Sequence, residues 1–116
     1  MVIKLVFFIF ISFYCNYALL AESKIDNYIK VGIYDNEPKV FFNLKGVPAG
    51  IFVDILEEIK KSESWEIDYV SCQWSDCLKQ LKNGELDIMP DVAYTLEREK
   101  KFLFSDEAFL SSWSVL

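Results

Sequence analysis

The sequence contains no histidine and only three cysteines, the residues that most often build metal sites and nucleophilic centres. Histidine is the commonest metal ligand and the usual general base in proteins. Of the three cysteines, only Cys72 and Cys77 follow the apolar N-terminal segment, so there is no second cysteine pair for a zinc site. No pair of residues can be recognised as a nucleophile and its base. We therefore expect no metal, no cofactor and no catalytic residues, which favours a non-enzyme.

Positive charge is also scarce, and it is not gathered into a long basic run. The chain of 116 residues has 12 Lys and Arg against 18 Asp and Glu, a net charge of −6. An acidic surface of this kind argues against nucleic acid and against anionic lipid as partners. Internal repeats, low-complexity segments and linkers are absent from the sequence as well.

The N-terminus has the pattern of an export signal. Lys4 precedes an apolar run from Leu5 to Leu20, and Ala21 supplies a small residue before polar sequence. The run is shorter than the ~20 apolar residues that a membrane span usually needs. We predict a signal peptide at 1–21 and a periplasmic or other extracytoplasmic location, with a short membrane anchor as the alternative.

Hydrophobic periodicity predicts strands alternating with helices. Alternating or continuous apolar stretches predict strands, and apolar residues at i, i+3, i+4 and i+7 predict helices. Ser75 is a candidate cap for the second helix, and Gly84 can supply the left-handed residue past its end. The predicted strands are 29–34, 65–70 and 86–89, a short extended piece lies at 40–42, a turn region at 45–50, and the predicted helices are 52–61, 74–81 and 95–101.

This order predicts an α/β fold with a mainly parallel sheet and flanking helices. Ligands of such sheets bind outside the carboxyl ends of the strands. The loops Tyr34–Pro38, Ser71–Trp74 and Pro90–Tyr94 would lie there. The chain stops at Leu116 in an apolar run without a terminating turn, so we expect an incomplete C-terminal edge.

Arg98 is the residue whose position most needs an explanation. Thr95 is a good N-cap, which places Arg98 in the first turn of a helix, where a cation is disfavoured by about 0.3–1 kcal/mol. A bound carboxylate or phosphate would offset that cost. The alternatives are a structural ion pair with Asp91 or Asp106, or a solvated arginine.

Other candidate residues lie in or near the same three loops and have structural alternatives. Trp74 either packs in the core or forms an aromatic wall of a pocket. Asp91 either caps a turn, pairs with Arg98 or receives a cation of a ligand. Cys72 and Cys77 either form a disulfide closing a very short loop or remain two core thiols.

Three segments resemble extracellular solute-binding proteins of family 3. Residues 50–56, GIFVDIL, resemble the segment that opens the first helix in that family. Residues 84–89, GELDIM, resemble its G-x-x-D-x-x strand, and Thr95 to Arg98 with Phe104-Ser105 resemble its T-x-x-R … F-S motif. The spacing covers nearly the whole chain from Ile29 to Leu116, so residues 22–116 are identified as an N-terminal lobe of this family.

The resemblance implies a fold, a function and a set of contacts. The fold is the type II periplasmic-binding-protein architecture, in which two α/β lobes close around a small anionic or zwitterionic ligand such as an amino acid. The residue matching Arg98 grips the ligand's α-carboxylate. The remaining ligand-binding candidates are Trp74, Asp91, Ala93, Tyr34 and Glu37. The implied partners are an ABC permease or a membrane sensor kinase or cyclase.

The sequence also departs from the family pattern. Amino-acid binders have small hydroxyl residues before T-x-x-R, whereas this chain has Pro90-Asp91-Val92-Ala93, which is more similar to sensor domains. The second lobe is not in this sequence, so we expect a truncated lobe. Alternatives within the same fold are a prephenate-type dehydratase, a peptidoglycan-cleaving module, and a truncated fragment that binds nothing.

Overall fold

The computed structural model describes residues 27–111. The predicted signal peptide at 1–21 and the final apolar run at 113–116 therefore lie outside the described residues. Between residues 27 and 111, no helix has the length and apolar character needed to cross a bilayer.

Two parallel strands form the centre of the fold. β1 (Tyr28–Ile33) pairs with β4 (Glu66–Ser71), with Val31 opposite Tyr69. Helix α1 (Ile51–Glu63) lies between them in the chain, as a parallel crossover requires. The prediction of an α/β fold with a parallel sheet is confirmed.

The third predicted strand, 86–89, is wrong in extent, because the segment forms a β-bridge and no full ladder. Ile88 lies parallel to Val31, and the Gly32 N–H donates to the Ile88 carbonyl over 2.9 Å. The Asp87 carboxylate accepts from the Lys30 N–H over 2.8 Å, and Pro90 has no N–H to give. The backbone pairing of 86–89 with β1 therefore cannot extend past the bridge on either side, because the Lys30 N–H is already used and Pro90 has none.

The resulting order places β1 between β4 and the 86–89 segment. From β1 the chain crosses first to one neighbour, through α1, and later reaches the other. The carboxyl ends of β1 and 86–89 therefore form a topological switch point, the position at which open α/β sheets bind ligands.

A small hairpin, which the sequence did not predict, precedes α1. β2 (Phe41–Phe42) pairs antiparallel with β3 (Pro48–Ala49), although 45–50 was predicted as a turn region only. The Asn43 side chain closes the turn by accepting from the N–H groups of Lys45 and Val47, over 2.9 and 3.0 Å.

Helix α1 packs on the sheet through one face, and its N-cap is Gly50. Val53 and Leu56 are buried in a core cluster with Val31, Ile33 and Val40. Gly50 has φ +113°, and a Cβ there would approach the Lys39 carbonyl carbon to 2.6 Å. Only glycine therefore fits where the hairpin turns into this helix.

Helix α2 (Trp74–Lys82) covers a second core cluster formed by Cys77, Leu86 and Met89. The N-cap position is Gln73, so the prediction that Ser75 caps this helix is wrong: Ser75 already lies inside the first turn. Gly84 has φ +76°, the left-handed conformation that was expected past the helix end.

The last helix, α3 (Leu96–Glu99), is a single turn of four residues. It is shorter than the predicted 95–101, although Thr95 is its N-cap as expected. The N–H groups of Lys101 and Phe102 both donate to the Arg98 carbonyl over 2.9 Å, which closes the turn.

Candidate ligand-binding site

Tyr34 and Asp91 meet at the switch point between β1 and the 86–89 segment. Tyr34 directly follows β1, and Asp91 follows Met89 and the buried Pro90. The Tyr34 hydroxyl lies 2.9 Å from the Asp91 backbone carbonyl and 3.2 Å from its Oδ2. The Tyr34 side chain thus joins the loop after β1 to the loop after the 86–89 segment, at this edge of the sheet.

An aromatic wall lies beside this junction. The rings of Tyr34 and Trp74 have centroids 4.8 Å apart at an interplanar angle of 73°, an edge-to-face packing. Trp74 is the first residue of α2, so its helix start carries it to the carboxyl edge of the sheet. Trp74 packs against the core cluster of α2, as the core alternative expects, and its ring also faces Arg98. Its role as the wall of a ligand pocket stays a prediction.

Arg98 lies over the aromatic wall. Its Cζ is 5.4 Å from the Trp74 ring centroid, within the range of a cation–π interaction. Nη1 donates to the Ala93 carbonyl over 2.9 Å, and the Arg98 backbone N–H donates to Thr95 Oγ1 over 3.1 Å. The guanidinium is therefore held by a ring and by one backbone carbonyl.

The ion-pair alternative for Arg98 is not found in the part of the chain that the structure describes. No carboxylate from residues 27–111 lies within 4.0 Å of the guanidinium, and Asp91 pairs elsewhere. The helix-dipole argument is also weaker than expected. In a helix of four residues the first turn is also the last, so the dipole penalty on Arg98 is small.

Asp91 is the centre of a polar network that the sequence analysis did not foresee. Its carboxylate accepts from Lys39 Nζ over 3.3 and 3.2 Å at its two oxygens, and from the Asn36 amide at Oδ2. The side chain of Asp91 is 13% exposed. Asn36 belongs to a loop that was singled out, whereas Lys39, which follows Pro38, has the sequence features of an ordinary surface lysine.

The Tyr34 phenol titrates in an unusual environment. Burial, followed by the charge and hydrogen bond of Asp91, raises the pKa of Tyr34 to about 12, although Asn36 and Arg98 act in the opposite direction. The phenol is therefore neutral at physiological pH and keeps its proton for the bond to Asp91.

Five of the six predicted ligand contacts lie together. Tyr34, Trp74 and Asp91 touch through the contacts above, and Ala93 presents its carbonyl to Arg98. Glu37 is exposed in the turn ahead of Lys39, and no hydrogen bond or ion pair joins it to the others among residues 27–111. Its contact with a ligand stays a prediction.

The two cysteines are joined as a disulfide, with their Cα atoms 5.4 Å apart. Cys72 directly follows β4, and Cys77 is fully buried in the first half of α2. The bridge thus ties the strand end to the helix that carries Trp74. Its presence in the exported protein stays a prediction. No cluster of three or more His, Cys, Asp or Glu residues suited to a metal occurs within 27–111.

An open depression of about 360 Å³ lies near the disulfide, away from the aromatic wall. It is lined by polar residues of α2 and its neighbours: Ser71, Cys72, Asp76, Lys79, Gln80 and Glu85. Arg98 and Trp74 do not line it, so it is not the candidate site.

Arg98 and the aromatic wall thus lie at the switch point of a parallel α/β lobe, the position at which open α/β sheets bind ligands. The chain belongs to the bacterial extracellular solute-binding proteins, family 3, whose family model matches residues 29–116. The predicted family is thereby confirmed. No curated protein matches the chain significantly.

Several solved structures are similar to this chain. A point mutant of domain 1 from TmArgBP, in its arginine-bound form, is 31% identical with a TM-score of 0.66, covering 76% of this chain and 70% of its own. A putative L-cystine ABC transporter protein from Listeria monocytogenes is 30% identical with a TM-score of 0.63, covering 71% of this chain and 36% of its own.

A histidine kinase sensor domain similar to periplasmic binding proteins is 25% identical with a TM-score of 0.59, covering 63% of this chain and 32% of its own. Most of the similar structures are thus binding proteins. An ancestral cyclohexadienyl dehydratase is also 25% identical over 64% of this chain, with a TM-score of 0.56. Apart from the TmArgBP domain, the chain spans about a third of the length of these relatives.

Proposed function

We propose that this protein binds a small anionic or zwitterionic solute, such as an amino acid or a related carboxylate, outside the cytoplasm. The observation that supports this most directly is Arg98. It is the chain's only arginine, it is stacked on Trp74, and no carboxylate of residues 27–111 pairs with it. A guanidinium held in this way presents its remaining N–H groups to a ligand carboxylate.

The aromatic wall gives the ligand's apolar part a surface to pack on. Tyr34 and Trp74 form a rigid edge-to-face pair, and rigid aromatic surfaces bind at a small cost in conformational entropy. Contacts of Asp91, Ala93 and Glu37 with the ligand remain part of the proposal. The arginine-bound TmArgBP domain supports the idea that one domain of this family can hold an amino acid.

The same binding event serves either transport or sensing. Similarity to a putative ABC transporter protein supports an ABC permease as partner, and similarity to a kinase sensor domain supports a membrane kinase or cyclase. In both cases, closure on a second lobe would be the step that the partner detects. The rivals are a dehydratase, a peptidoglycan-cleaving module and a fragment without a ligand.

Isothermal titration with L-arginine, L-lysine, L-cystine and succinate tests the proposal. We expect at least one probe to bind, and Arg98→Ala to weaken it by about 1.5–3 kcal/mol, the scale of a charge-assisted hydrogen bond. Arg98→Lys should rescue only in part, because an ammonium cannot form the bidentate fork. Lys61→Ala, which removes an exposed cation of α1 paired with Glu58, is the matched control.

Phenylglyoxal provides a second readout because it modifies arginine and the chain has one. A ligand that covers Arg98 should protect it, so mass spectrometry should show less adduct when ligand is bound. Full reactivity of Arg98 under saturating ligand, or equal affinity of wild type and Arg98→Ala, would overturn the proposed site. Turnover of prephenate would instead favour the dehydratase.

A further inference from the structure

We propose that the Lys39–Asp91 ion pair sets the charge selectivity of this site. Lys39 neutralises the Asp91 carboxylate, so that Arg98 alone presents a net charge to a ligand at the aromatic wall. This inference rests on the proposed function for its biological meaning. It assigns Lys39 a role in specificity that Lys39 exerts through its ion pair with Asp91.

The geometry of the pair fits neutralisation. Lys39 Nζ lies 3.3 and 3.2 Å from the two Asp91 oxygens, so one ammonium serves both. Oδ2 also accepts from Asn36 and from the Tyr34 hydroxyl. Asp91 is 13% exposed, whereas Lys39 is 42% exposed. A carboxylate that is mostly buried needs such partners, because its charge is costly to desolvate alone.

The backbone fixes both members of the pair. Asp91 has φ +56°, a left-handed conformation that Asp tolerates better than most residues do. The Lys39 N–H donates to the Asn36 carbonyl over 2.9 Å, and its own carbonyl accepts from Phe52 of α1 over 3.0 Å. Lys39 is therefore held by a turn on one side and by a helix on the other.

The acids nearest to Arg98 in sequence are engaged as well. Glu97 pairs with Lys101 over 3.0 Å, and Glu99 accepts from the Tyr94 hydroxyl over 2.8 Å. Without Lys39, the nearby Asp91 carboxylate would have no cation partner and would lower the potential at the wall. The site would then change from net positive to about neutral and would no longer favour an anion.

Quenching of Trp74 fluorescence measures that potential without any ligand. In the 116-residue chain carrying Trp65→Phe and Trp113→Phe, Trp74 is the one tryptophan left among those residues. Iodide, an anion, reports the local potential, and neutral acrylamide reports access. The informative quantity is the ratio of the two quenching constants at fixed ionic strength, for Lys39→Met, Asp91→Asn and the double variant.

The proposal orders the variants by net charge at the wall. The iodide-to-acrylamide ratio should fall about two-fold in Lys39→Met and rise about two-fold in Asp91→Asn, the scale expected of one charge under partial screening. The double variant should return to the wild-type ratio. Lys61→Met and Glu58→Gln, which dissect an exposed ion pair on α1, should leave it unchanged.

A purely structural ion pair gives a different pattern. Loss of either partner would then loosen the loops and raise acrylamide quenching in all three variants, with no ordering by charge. That pattern, or an unchanged ratio in every variant, would overturn the proposal. If the iodide-to-acrylamide ratios follow the charge order but no probe binds in the titrations above, the electrostatic role of the ion pair is supported and the proposed function fails.

Discussion

The Tyr34 hydroxyl and the Asp91 backbone carbonyl are 2.9 Å apart, and their hydrogen bond joins the loop after β1 to the loop after the 86–89 segment. Within the described residues, a single β-bridge, between Val31 and Ile88, links β1 to the 86–89 segment. Beyond that bridge, the Tyr34 side chain provides a further connection between the two. This bond therefore contributes to the alignment of both loops around the candidate site.

Tyr34→Phe should remove that bond and keep the ring against Trp74. We expect the free energy of unfolding to fall by about 1 kcal/mol, a typical net value for one hydrogen bond. Urea denaturation measures the change. Tyr94→Phe is the control, because it removes a hydroxyl bonded to exposed Glu99 and should cost almost nothing. Equal effects of the two substitutions would contradict the role of Tyr34.

Alkaline pH should weaken the protein through Tyr34. Burial, the largest cause, raises the folded-state pKa of Tyr34 from 10.0 to about 12, so above pH 10 the unfolded chain loses this proton first. The stabilisation is complete below pH 10 and declines as the pH rises from 10 towards 12. Stability of Tyr34→Phe should fall less steeply over that window. Parallel profiles would show that Tyr34 does not contribute.

Gly32→Ala should destabilise the core beside the disulfide. A Cβ at Gly32 would lie 2.6 Å from Leu86 Cδ1, and Leu86 is 2% exposed, so it has little room to move. We expect a loss of about 1–3 kcal/mol in denaturation, the usual range for overpacking. Leu86→Val provides space, so the double variant should cost less than the sum of the two single changes. Strict additivity would refute the clash.

The exported protein should contain the Cys72–Cys77 disulfide. Mass spectrometry with alkylation before and after reduction distinguishes the bridge from two free thiols. Because the closed loop is short, reduction should lower stability by only about 2 kcal/mol in the chain-entropy model. The same reduction should leave a Cys72→Ala/Cys77→Ala variant unaffected. Two alkylated thiols before reduction would rule out the bridge.

Export should remove the leader. The Lys4–Ala21 pattern predicts cleavage close to Ala21, so N-terminal sequencing of the exported protein should begin at Glu22 or a near neighbour. Recovery of an intact Met1 in a soluble fraction would contradict this prediction. Recovery of Met1 in membranes would favour the short-anchor alternative.

The strands and helices that could be predicted from the sequence are those with a clear local pattern of apolar residues. β1, β4, α1 and α2 were found within a few residues, since their apolar residues repeat with the period of a strand or a helix. The clustering of Tyr34, Trp74 and Arg98 followed from topology, because parallel strands bring their carboxyl ends to one edge.

What the sequence could not predict depends on contacts between distant residues. The pairing of Lys39 with Asp91 joins positions 52 apart, and nothing local distinguishes Lys39 from other surface lysines. The short ladder at 86–89 follows from the Asp87 side chain occupying the Lys30 N–H, which an apolar pattern does not reveal. Ser75 was a plausible cap by type, but the N-cap is Gln73, two residues earlier.

Arg98 is carried by a helix of four residues, none of which is buried. So short a helix is marginal without packing, and its order depends on Thr95, on the Ala93 carbonyl and on the Trp74 ring. In the proposed complex, part of the binding free energy of a ligand on Arg98 would therefore be used to hold this turn in place. Under that proposal, a substitution at the exposed Leu96 would change ligand affinity without any contact to the ligand, by changing how readily the turn forms.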